Sequence, residues 1–144
     1  MLVSQILKSK AQQDVITVPP TMTVSEAARI LSDKGIGTVI VSRSGETADG
    51  ILSERDIVRE LGKRGVSCMS DKVADVMTKK IITATPTETA ESVLQTMTEK
   101  RFRHMPVTED GKLLGVVSIG DIVSARLSEI STEKEALQDM IMGH

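Results

Sequence analysis

The chain has 144 residues, which suffices for one compact domain or for two small units that share a core. Lys and Arg total 18 against 20 Asp and Glu, and the net charge of -2 argues against a protein that coats nucleic acid. Phe102 is the only aromatic residue, so the sequence offers no stacking platform for single-stranded nucleic acid. The single cysteine, Cys68, excludes an intramolecular disulfide, and no apolar run approaches the ~20 residues that cross a bilayer. We therefore expect a small soluble cytoplasmic protein.

The sequence repeats itself once. Three segments of the first half reappear in the second half: residues 3–7 as 73–77, residues 16–23 as 82–89, and residues 50–58 as 115–123. The offsets are 70, 66 and 65 residues. Small drifts of this kind are typical of two copies of one structural unit whose loops differ in length. Two such units usually bury a shared face, and the seam between them is a natural place for a ligand.

The first copy predicts alternating strands and helices. Residues 15–18 form a β-branched run that proline stops, which predicts a short edge strand. Thr23 then precedes apolar residues at spacings of three and four, the pattern of a capped amphipathic helix. Residues 38–41 predict a buried strand, and a turn at residues 44–46 leads to a third strand at residues 50–52.

The second copy predicts the same elements. The corresponding strands are residues 81–83, 105–107 and 115–117, the helix cap is Thr89, and the turn is residues 110–112. A second helix follows the third strand, with an apolar face of Ile57, Val58 and Leu61 in one copy and Ile122, Val123 and Leu127 in the other. Each unit is therefore predicted as β-α-β-β-α. The predicted domains are residues 1–63 and 73–128, joined by a polar linker at residues 64–72.

The C-terminal residues 129–144 predict a separate helix. Thr132 and Glu135 have the spacing of a capping box, and apolar residues follow them. This helix either docks on its own chain or meets a partner subunit.

A Ser-x-x-Asp motif stands at the strand-to-helix corner of both copies, as Ser53 with Asp56 and Ser118 with Asp121. A serine N-cap with an acidic residue three positions later stabilises a helix start. The same geometry also suits a ligand, because exposed N–H groups favour an anion and a carboxylate can hold a ribose diol. The motif alone leaves both interpretations open.

The two copies differ just before the second strand. The first has Gly35-Ile36-Gly37-Thr38, whereas the second has Arg101-Phe102-Arg103-His104. Equivalent positions have similar structural needs, so the fold alone does not call for two arginines and a histidine. Arginine suits phosphate oxygens, and an imidazole adds a donor. Together with the second Ser-x-x-Asp motif, this segment favours a phosphate-plus-ribose site over a merely solvated basic loop.

An enzyme is not predicted. His104 and His144 are the only histidines, which argues against a histidine-rich metal site or a Ser-His-Asp triad. Cys68 has no patterned cysteine partner for zinc, and neither a P-loop nor a dinucleotide-binding glycine motif is present.

The two units resemble a tandem pair of CBS domains. The residues that carry the resemblance are the proline-containing starts at residues 17–19 and 83–86, the strand corners at residues 50–58 and 115–123, and residues 103–107. The resemblance implies an α/β (α+β) fold whose two repeats pack about a pseudo-twofold axis, with sheets in the core and helices outside. It also implies two clefts that bind AMP, ADP, ATP, NAD or S-adenosylmethionine, and a disc-like homodimer.

The resemblance further assigns roles to residues. It implies that Asp121 binds the ribose hydroxyls and that Ser118 binds the ribose or phosphate. Arg103 and His104 would bind the phosphate. The walls around adenine or ribose would be formed by Thr83, Met105 and Pro106. The matching places in the first repeat are those of Asp56, Ser53, Thr38 and Thr17. The first repeat lacks the Arg-His pair, so its site is expected to take the uncharged part of a ligand, a second nucleotide more weakly, or nothing.

The leading hypothesis is a sensor of adenine nucleotides that changes its contacts with itself or with an unidentified regulated protein. The rival is a constitutive interaction module with empty clefts. Nucleic-acid binding through Lys100, Arg101 and Arg103 is a weaker third option, because the net charge is acidic.

Overall fold

The computed structural model describes residues 1–10 and 15–142. Its helices are α1 (Val3–Ser9), α2 (Val24–Lys34), α3 (Glu54–Arg64), α4 (Val73–Val76), α5 (Ala90–Lys100) and α6 (Ile119–Met142). Its strands are β1 (Thr17–Val18), β2 (Thr38–Val41), β3 (Gly50–Ser53), β4 (His104–Glu109) and β5 (Lys112–Ser118). The mixed α/β fold predicted from the sequence is confirmed. None of the helices in these residues has the length and apolarity that a bilayer span requires.

The described residues form two compact units that do not coincide with the two sequence repeats. Unit 1 contains residues 1–10, 84–107 and 115–142, and unit 2 contains residues 15–83 and 108–114. Each unit therefore includes the first helix of the opposite repeat, because α1 belongs to unit 1 and α4 to unit 2. The predicted boundaries at residues 63 and 73 remain predictions about the repeats.

Unit 2 contains a three-stranded sheet in the order β1-β2-β3. Strand β2 runs parallel to β1 and antiparallel to β3, with Thr38 opposite Ser53. Helix α2 begins at Thr23, as predicted, and the Thr23 hydroxyl accepts a hydrogen bond from the Glu26 N–H at 3.2 Å. The buried core is aliphatic: Val18, Val24, Ala27, Leu31, Val39, Val41, Leu52, Ile57, Val73 and Val76.

Unit 1 is built around α5, α6 and the residues of β4 and β5 that belong to it. Thr89 caps α5 as predicted, because its hydroxyl accepts a hydrogen bond from the Ser92 N–H at 3.1 Å. Helix α1 joins this core through Val3 and Ile6, which are both buried. The other buried side chains are Ala84, Ala90, Val93, Met97, Met105, Val107, Val117, Ile122 and Ala125.

Strands β4 and β5 form a hairpin whose turn was predicted at residues 110–112. Asp110 and Gly111 both have a positive φ, of 51° and 79°. Two successive positive φ angles are typical of the turns that match the twist of a hairpin, and Asp-Gly is a preferred pair there.

The strand predicted at residues 81–83 is absent. Only Ala84 pairs with β4, as an isolated parallel bridge to Val107. In the first repeat, the Ile40 N–H donates to the Ile16 carbonyl at 3.1 Å and so extends β1. The equivalent of Ile40 is Pro106, which has no N–H to donate. The second copy therefore keeps one bridge where the first has a short strand.

Two segments predicted to be irregular or separate are helical. Helix α3 continues to Arg64, and a 3₁₀ helix, Gly65–Ser70, occupies most of the predicted linker and buries Cys68. The predicted helix start at Thr132 was wrong, because α6 continues through this position without interruption. The Thr132 hydroxyl instead donates to the Ser128 carbonyl at 3.0 Å inside the helix.

The second helix of each repeat buries some of its apolar residues and exposes others. Ile57 and Ile122 are buried, whereas Val58, Val123 and Leu127 are exposed. These three side chains are left on the surfaces of α3 and α6.

Candidate functional site

The start of β4 and the start of α6 are joined by a backbone hydrogen bond. The Ile119 N–H donates to the Arg103 carbonyl at 2.8 Å. The first repeat has the same contact, because the Glu54 N–H donates to the Gly37 carbonyl at 2.9 Å. The fold therefore brings the Arg-His segment beside the Ser-x-x-Asp corner of the same repeat.

Ser118 and Asp121 form the helix cap that the spacing allowed. The Asp121 N–H donates to Ser118 Oγ at 3.1 Å, and the Ser118 N–H donates to Asp121 Oδ2 at 2.8 Å. This reciprocal pair satisfies two backbone donors that the start of α6 would otherwise leave unpaired. Asp121 therefore caps helix α6, and a contact with a ligand would be a second role for the same side chain.

A lysine from the other end of the chain also reaches Asp121. Lys10 follows α1, and its Nζ lies 2.9 Å from Asp121 Oδ2 and 2.7 Å from the Val116 carbonyl oxygen. The Asp121 side chain remains 25% exposed. The Lys10 ammonium and the Ser118 N–H both contact Oδ2, and no donor within residues 1–10 and 15–142 contacts the second carboxylate oxygen, Oδ1.

The pKa of Asp121 lies below its ordinary value. Partial burial is the largest single influence and raises the pKa, because it disfavours the charged form. The hydrogen bond from the Ser118 N–H, and the hydrogen bond and charge of Lys10, lower the pKa and together outweigh burial. Asp121 is therefore a carboxylate at neutral pH, the form that accepts hydrogen bonds from a diol.

The equivalent carboxylate of the first repeat, Asp56, is buried and has hydrogen-bond partners on both oxygens. Asp56 is only 6% exposed, and its Oδ2 accepts hydrogen bonds from the Ser53 N–H at 2.9 Å and the Ser53 hydroxyl at 3.1 Å. Its Oδ1 lies 2.8 Å from the Arg59 guanidinium, one helical turn along α3. Both oxygens of Asp56 are therefore engaged, unlike those of Asp121.

The other predicted residues of the first repeat share one face of the sheet. Thr38 lies opposite Ser53, and Thr17 lies opposite Ile40, two residues beyond Thr38 on the same strand. Directly opposed residues, and residues two apart on one strand, project to the same side of a sheet. The three hydroxyls of Thr17, Thr38 and Ser53 consequently lie on a common face in unit 2.

The predicted phosphate-binding residues lie at the start of β4. Arg103 is exposed, and its guanidinium has no hydrogen bond or ion pair with any residue that the structure describes. His104 is the first residue of β4 and is half-buried, while Met105 and Pro106 after it are buried. Thr83 is exposed and directly precedes Ala84, whose N–H donates to the Pro106 carbonyl at 2.9 Å.

Two charged residues beside the carboxylates were missed by the sequence analysis. Arg59 could have been found from its spacing, because Asp56 and Arg59 stand three apart on a predicted helix and so face one another. Lys10 carried no such signal, since Asp121 lies 111 positions further along the chain. His144 lies outside the described residues, and within them no three His, Cys, Asp or Glu side chains are placed to hold a metal ion.

Comparisons with known proteins agree with the repeat. The family model of the CBS domain matches residues 3–63 and 73–128. The mitochondrial CBS domain-containing protein CBSX3 of Arabidopsis thaliana is 36% identical over 148 residues, which cover 98% of this chain and 72% of that protein. Because this relative is named mitochondrial, the expected cytoplasmic location of the present chain stays a prediction.

Solved structures are similar over most of the chain. The CBS-domain containing protein ATU1752 from Agrobacterium tumefaciens has a TM-score of 0.82 and 37% identity, covering 88% of this chain and 99% of its own. CBSX2, solved in complex with AMP, has a TM-score of 0.74 and 26% identity, covering 88% and 96%. The CBS domain pair of MJ0100, solved with 5′-methylthioadenosine and S-adenosyl-L-methionine, has a TM-score of 0.77 and 25% identity, covering 90% and 98%. The present chain belongs to the CBS-domain family and carries two CBS domains in tandem.

Proposed function

We propose that the chain is a regulatory, non-catalytic module that senses adenosine-containing nucleotides and transmits their presence through a homodimer or partner surface. The candidate ligands are AMP, ADP, ATP and NAD. Two related CBS pairs were solved with AMP, or with 5′-methylthioadenosine and S-adenosyl-L-methionine, and these ligands all contain adenosine. The shared adenosine supports the ligand class and leaves the preferred member open.

The observation that carries the proposal is the half-engaged carboxylate of Asp121. Its Oδ2 is held by the Ser118 N–H, which fixes the orientation of the carboxylate, and its Oδ1 has no donor among the described residues. A fixed, ionised and partly exposed carboxylate is a suitable acceptor for ribose hydroxyls. Asp56 offers no such acceptor, so we place the preferred site in the second repeat.

Arg103 supports binding of the phosphate of the same ligand. Its backbone is tied to the start of α6 by the hydrogen bond from Ile119, close in the chain to Ser118 and Asp121. Its guanidinium is exposed and has no protein partner in the described residues, so it can bind an anion without first breaking an ion pair. His104 and Ser118 are the neighbouring donors that we assign to the ribose or phosphate.

Helix α6 supports the proposal of a homodimer. Five apolar side chains with exposures from 40% to 84% lie at spacings of three, four or seven: Val123, Leu127, Ile130, Leu137 and Ile141. This spacing places them along one side of the helix, as in the seam between two helices. The same side of a second copy is a matching partner, because a twofold interface pairs one patch with itself. The disc-like form implied by the resemblance remains part of this proposal.

Titration calorimetry with AMP, ATP and NAD tests the sensor. We expect saturable binding to the wild type and loss of binding in Asp121→Ala. Asp56→Ala is the matched control, because it removes the same kind of helix cap and should retain binding in the second repeat. Equal losses of nucleotide affinity in both variants would indicate that each substitution disturbs the fold. That result would argue against the proposed ribose contact.

The alternative is a constitutive interaction module, which the exposed side of α6 also favours. It predicts self-association or partner binding that no nucleotide changes. If the wild type binds none of the three nucleotides at millimolar concentration while its oligomeric state depends on α6, this alternative replaces the sensor.

A further inference from the structure

Lys10 is a charged neighbour in direct contact with the carboxylate to which we assign the ribose. Its Nζ contacts Asp121 Oδ2 at 2.9 Å and the Val116 carbonyl oxygen at 2.7 Å. The same Oδ2 already accepts the Ser118 N–H at 2.8 Å. An oxygen that accepts two donors has no lone pair left for a third. In this state, Asp121 can offer only Oδ1 to a diol that would otherwise use both oxygens.

The position of Lys10 follows from the docking of α1 in unit 1. The Val3 N–H donates to the Glu88 carbonyl at 2.9 Å, and the Ser4 N–H donates to the Pro86 carbonyl at 3.0 Å. At the other end of the helix, Leu7 covers Gly115 so closely that an added Cβ there would lie 2.8 Å from Leu7 Cδ2. The chain therefore leaves α1 beside β5, within reach of Val116 and of the start of α6.

Unit 2 lacks this arrangement at the corner of Asp56, although it contains a lysine at the position equivalent to Lys10. The offset of 70 that aligns the first helices places Lys10 over Lys80. Lys80 is exposed and has no ion pair or hydrogen bond with any residue in the described ranges. There the carbonyl of Ile51, the equivalent of Val116, accepts the backbone N–H of Thr78 at 2.9 Å instead.

The ion pair of Asp121 with Lys10 can separate more easily than the ion pair of Asp56 with Arg59. Asp56 is paired by Arg59 of its own helix, and its side chain is buried. The residue equivalent to Arg59 in the second repeat is Ser124, which carries no charge. Among residues 1–10 and 15–142, Lys10 is the one cation paired with Asp121, and its side chain is 26% exposed. This ion pair can open by rotation of one side chain, with α6 and its cap left intact.

We propose that Lys10 is a competing counter-ion of the nucleotide site, which occupies Asp121 in the absence of ligand and leaves Oδ2 when ribose binds. The inference depends on the proposed function, because it assumes that Asp121 accepts the ribose hydroxyls. Its consequence is that release of Lys10 from Asp121 is part of the ligand response. Opening a partly exposed ion pair costs up to about 1 kcal/mol, and a cost of about 0.4–1 kcal/mol corresponds to about twofold to fivefold in affinity.

Calorimetry with adenosine and AMP tests the competition. Adenosine is uncharged, so salt acts on its binding chiefly through the Lys10–Asp121 pair. We expect Lys10→Met to bind adenosine about twofold to fivefold more tightly than the wild type in 50 mM salt. We also expect 1 M salt to tighten adenosine binding to the wild type, with little effect on Lys10→Met. Lys10→Arg keeps the cation and should resemble the wild type.

Lys80→Met is the matched control, because it removes the equivalent lysine, which contacts no carboxylate in the described part of the chain, and the affinities of this variant should not change. Thermal unfolding of each variant shows whether it is folded. Equal or weaker adenosine binding by folded Lys10→Met overturns the inference, as does failure of both this variant and the wild type to bind adenosine. If AMP binding still depends on Asp121 in that case, the proposed function survives. If neither AMP nor adenosine binds the wild type, both proposals fail.

Discussion

Arg101 and Gly35 end equivalent helices in the same left-handed backbone conformation. Arg101 has φ 60° and ψ 42°, and Gly35 has φ 63° and ψ 37°. Glycine adopts this conformation freely, whereas a residue with a Cβ is disfavoured by roughly 1–2 kcal/mol. The second repeat therefore keeps an arginine at a position where its own fold would be more stable with glycine. This strain lies two residues from Arg103.

Replacing this arginine should stabilise the protein. We expect Arg101→Gly to raise the free energy of unfolding by about 0.5–1 kcal/mol, because relief of the left-handed strain exceeds the added flexibility of the unfolded chain. Urea unfolding measures the change. Gly35→Arg is the reciprocal control and should lower the free energy of unfolding by about 1 kcal/mol. A destabilised Arg101→Gly would mean that the Arg101 side chain makes a compensating contact.

Arg103 should distinguish ligands by their phosphate. We expect Arg103→Ala to weaken AMP binding by roughly 1.5–3 kcal/mol, the range for a hydrogen bond to a charged group. Adenosine binding should change much less, since adenosine has no phosphate. Calorimetry with both ligands gives the comparison, and Arg55→Ala is a control because Arg55 is an exposed arginine of the first repeat. Equal losses for the two ligands would indicate that Arg103 supports the fold instead.

Local patterns predicted most of the secondary structure correctly. Thr23 and Thr89 cap the predicted helices, and Asp110-Gly111 forms the predicted turn, because each depends on neighbouring residues only. The prediction of a strand at residues 81–83 was wrong for a non-local reason. Its pairing depends on Pro106, which cannot donate a hydrogen bond. The predicted helix start at Thr132 was wrong because α6 is continuous there. The Thr132 hydroxyl can bond to the preceding turn of a helix as well as cap a new one.

The candidate site was predictable in part. The difference between Gly37 and Arg103 and the repeated Ser-x-x-Asp motif indicated the candidate residues. The fold places Arg103 beside Ile119 through a backbone hydrogen bond. The sequence did not distinguish Asp56 from Asp121. Their difference depends on burial and on counter-ions, and Lys10 reaches Asp121 only because α1 docks in unit 1. Contacts so distant in sequence have no periodic signal.

The depressed pKa of Asp121 predicts a defined dependence of stability on pH. A lowered pKa means that the folded state favours the carboxylate, so the contribution is complete above the ordinary value of 3.8 and is lost as the pH falls through the folded pKa. We expect Asp121→Asn to lower the free energy of unfolding by about 1 kcal/mol at pH 7. Its deficit should shrink below pH 3.8 and vanish below the folded pKa.

Urea unfolding of the wild type and of Asp121→Asn between pH 7 and pH 2 measures this deficit. Asp139→Asn is the control, because it removes the same charge from an exposed position of α6. A deficit that stays constant through acid pH would show that the amide fails for steric reasons rather than through the lost charge.

The exposed side of α6 predicts a homodimer that a single charge can disrupt. We expect Leu127→Glu to raise the dimer dissociation constant by at least about 100-fold. Each copy would lose the burial of one leucine, worth about 1.5–3 kcal/mol, and a twofold interface counts the loss twice. Sedimentation across a concentration series measures the constant. Val66→Glu introduces the same charge at an 82% exposed valine outside α6 and should leave the dimer intact. A monomeric wild type, or equal effects of the two substitutions, would contradict the assignment of α6 as the dimer surface.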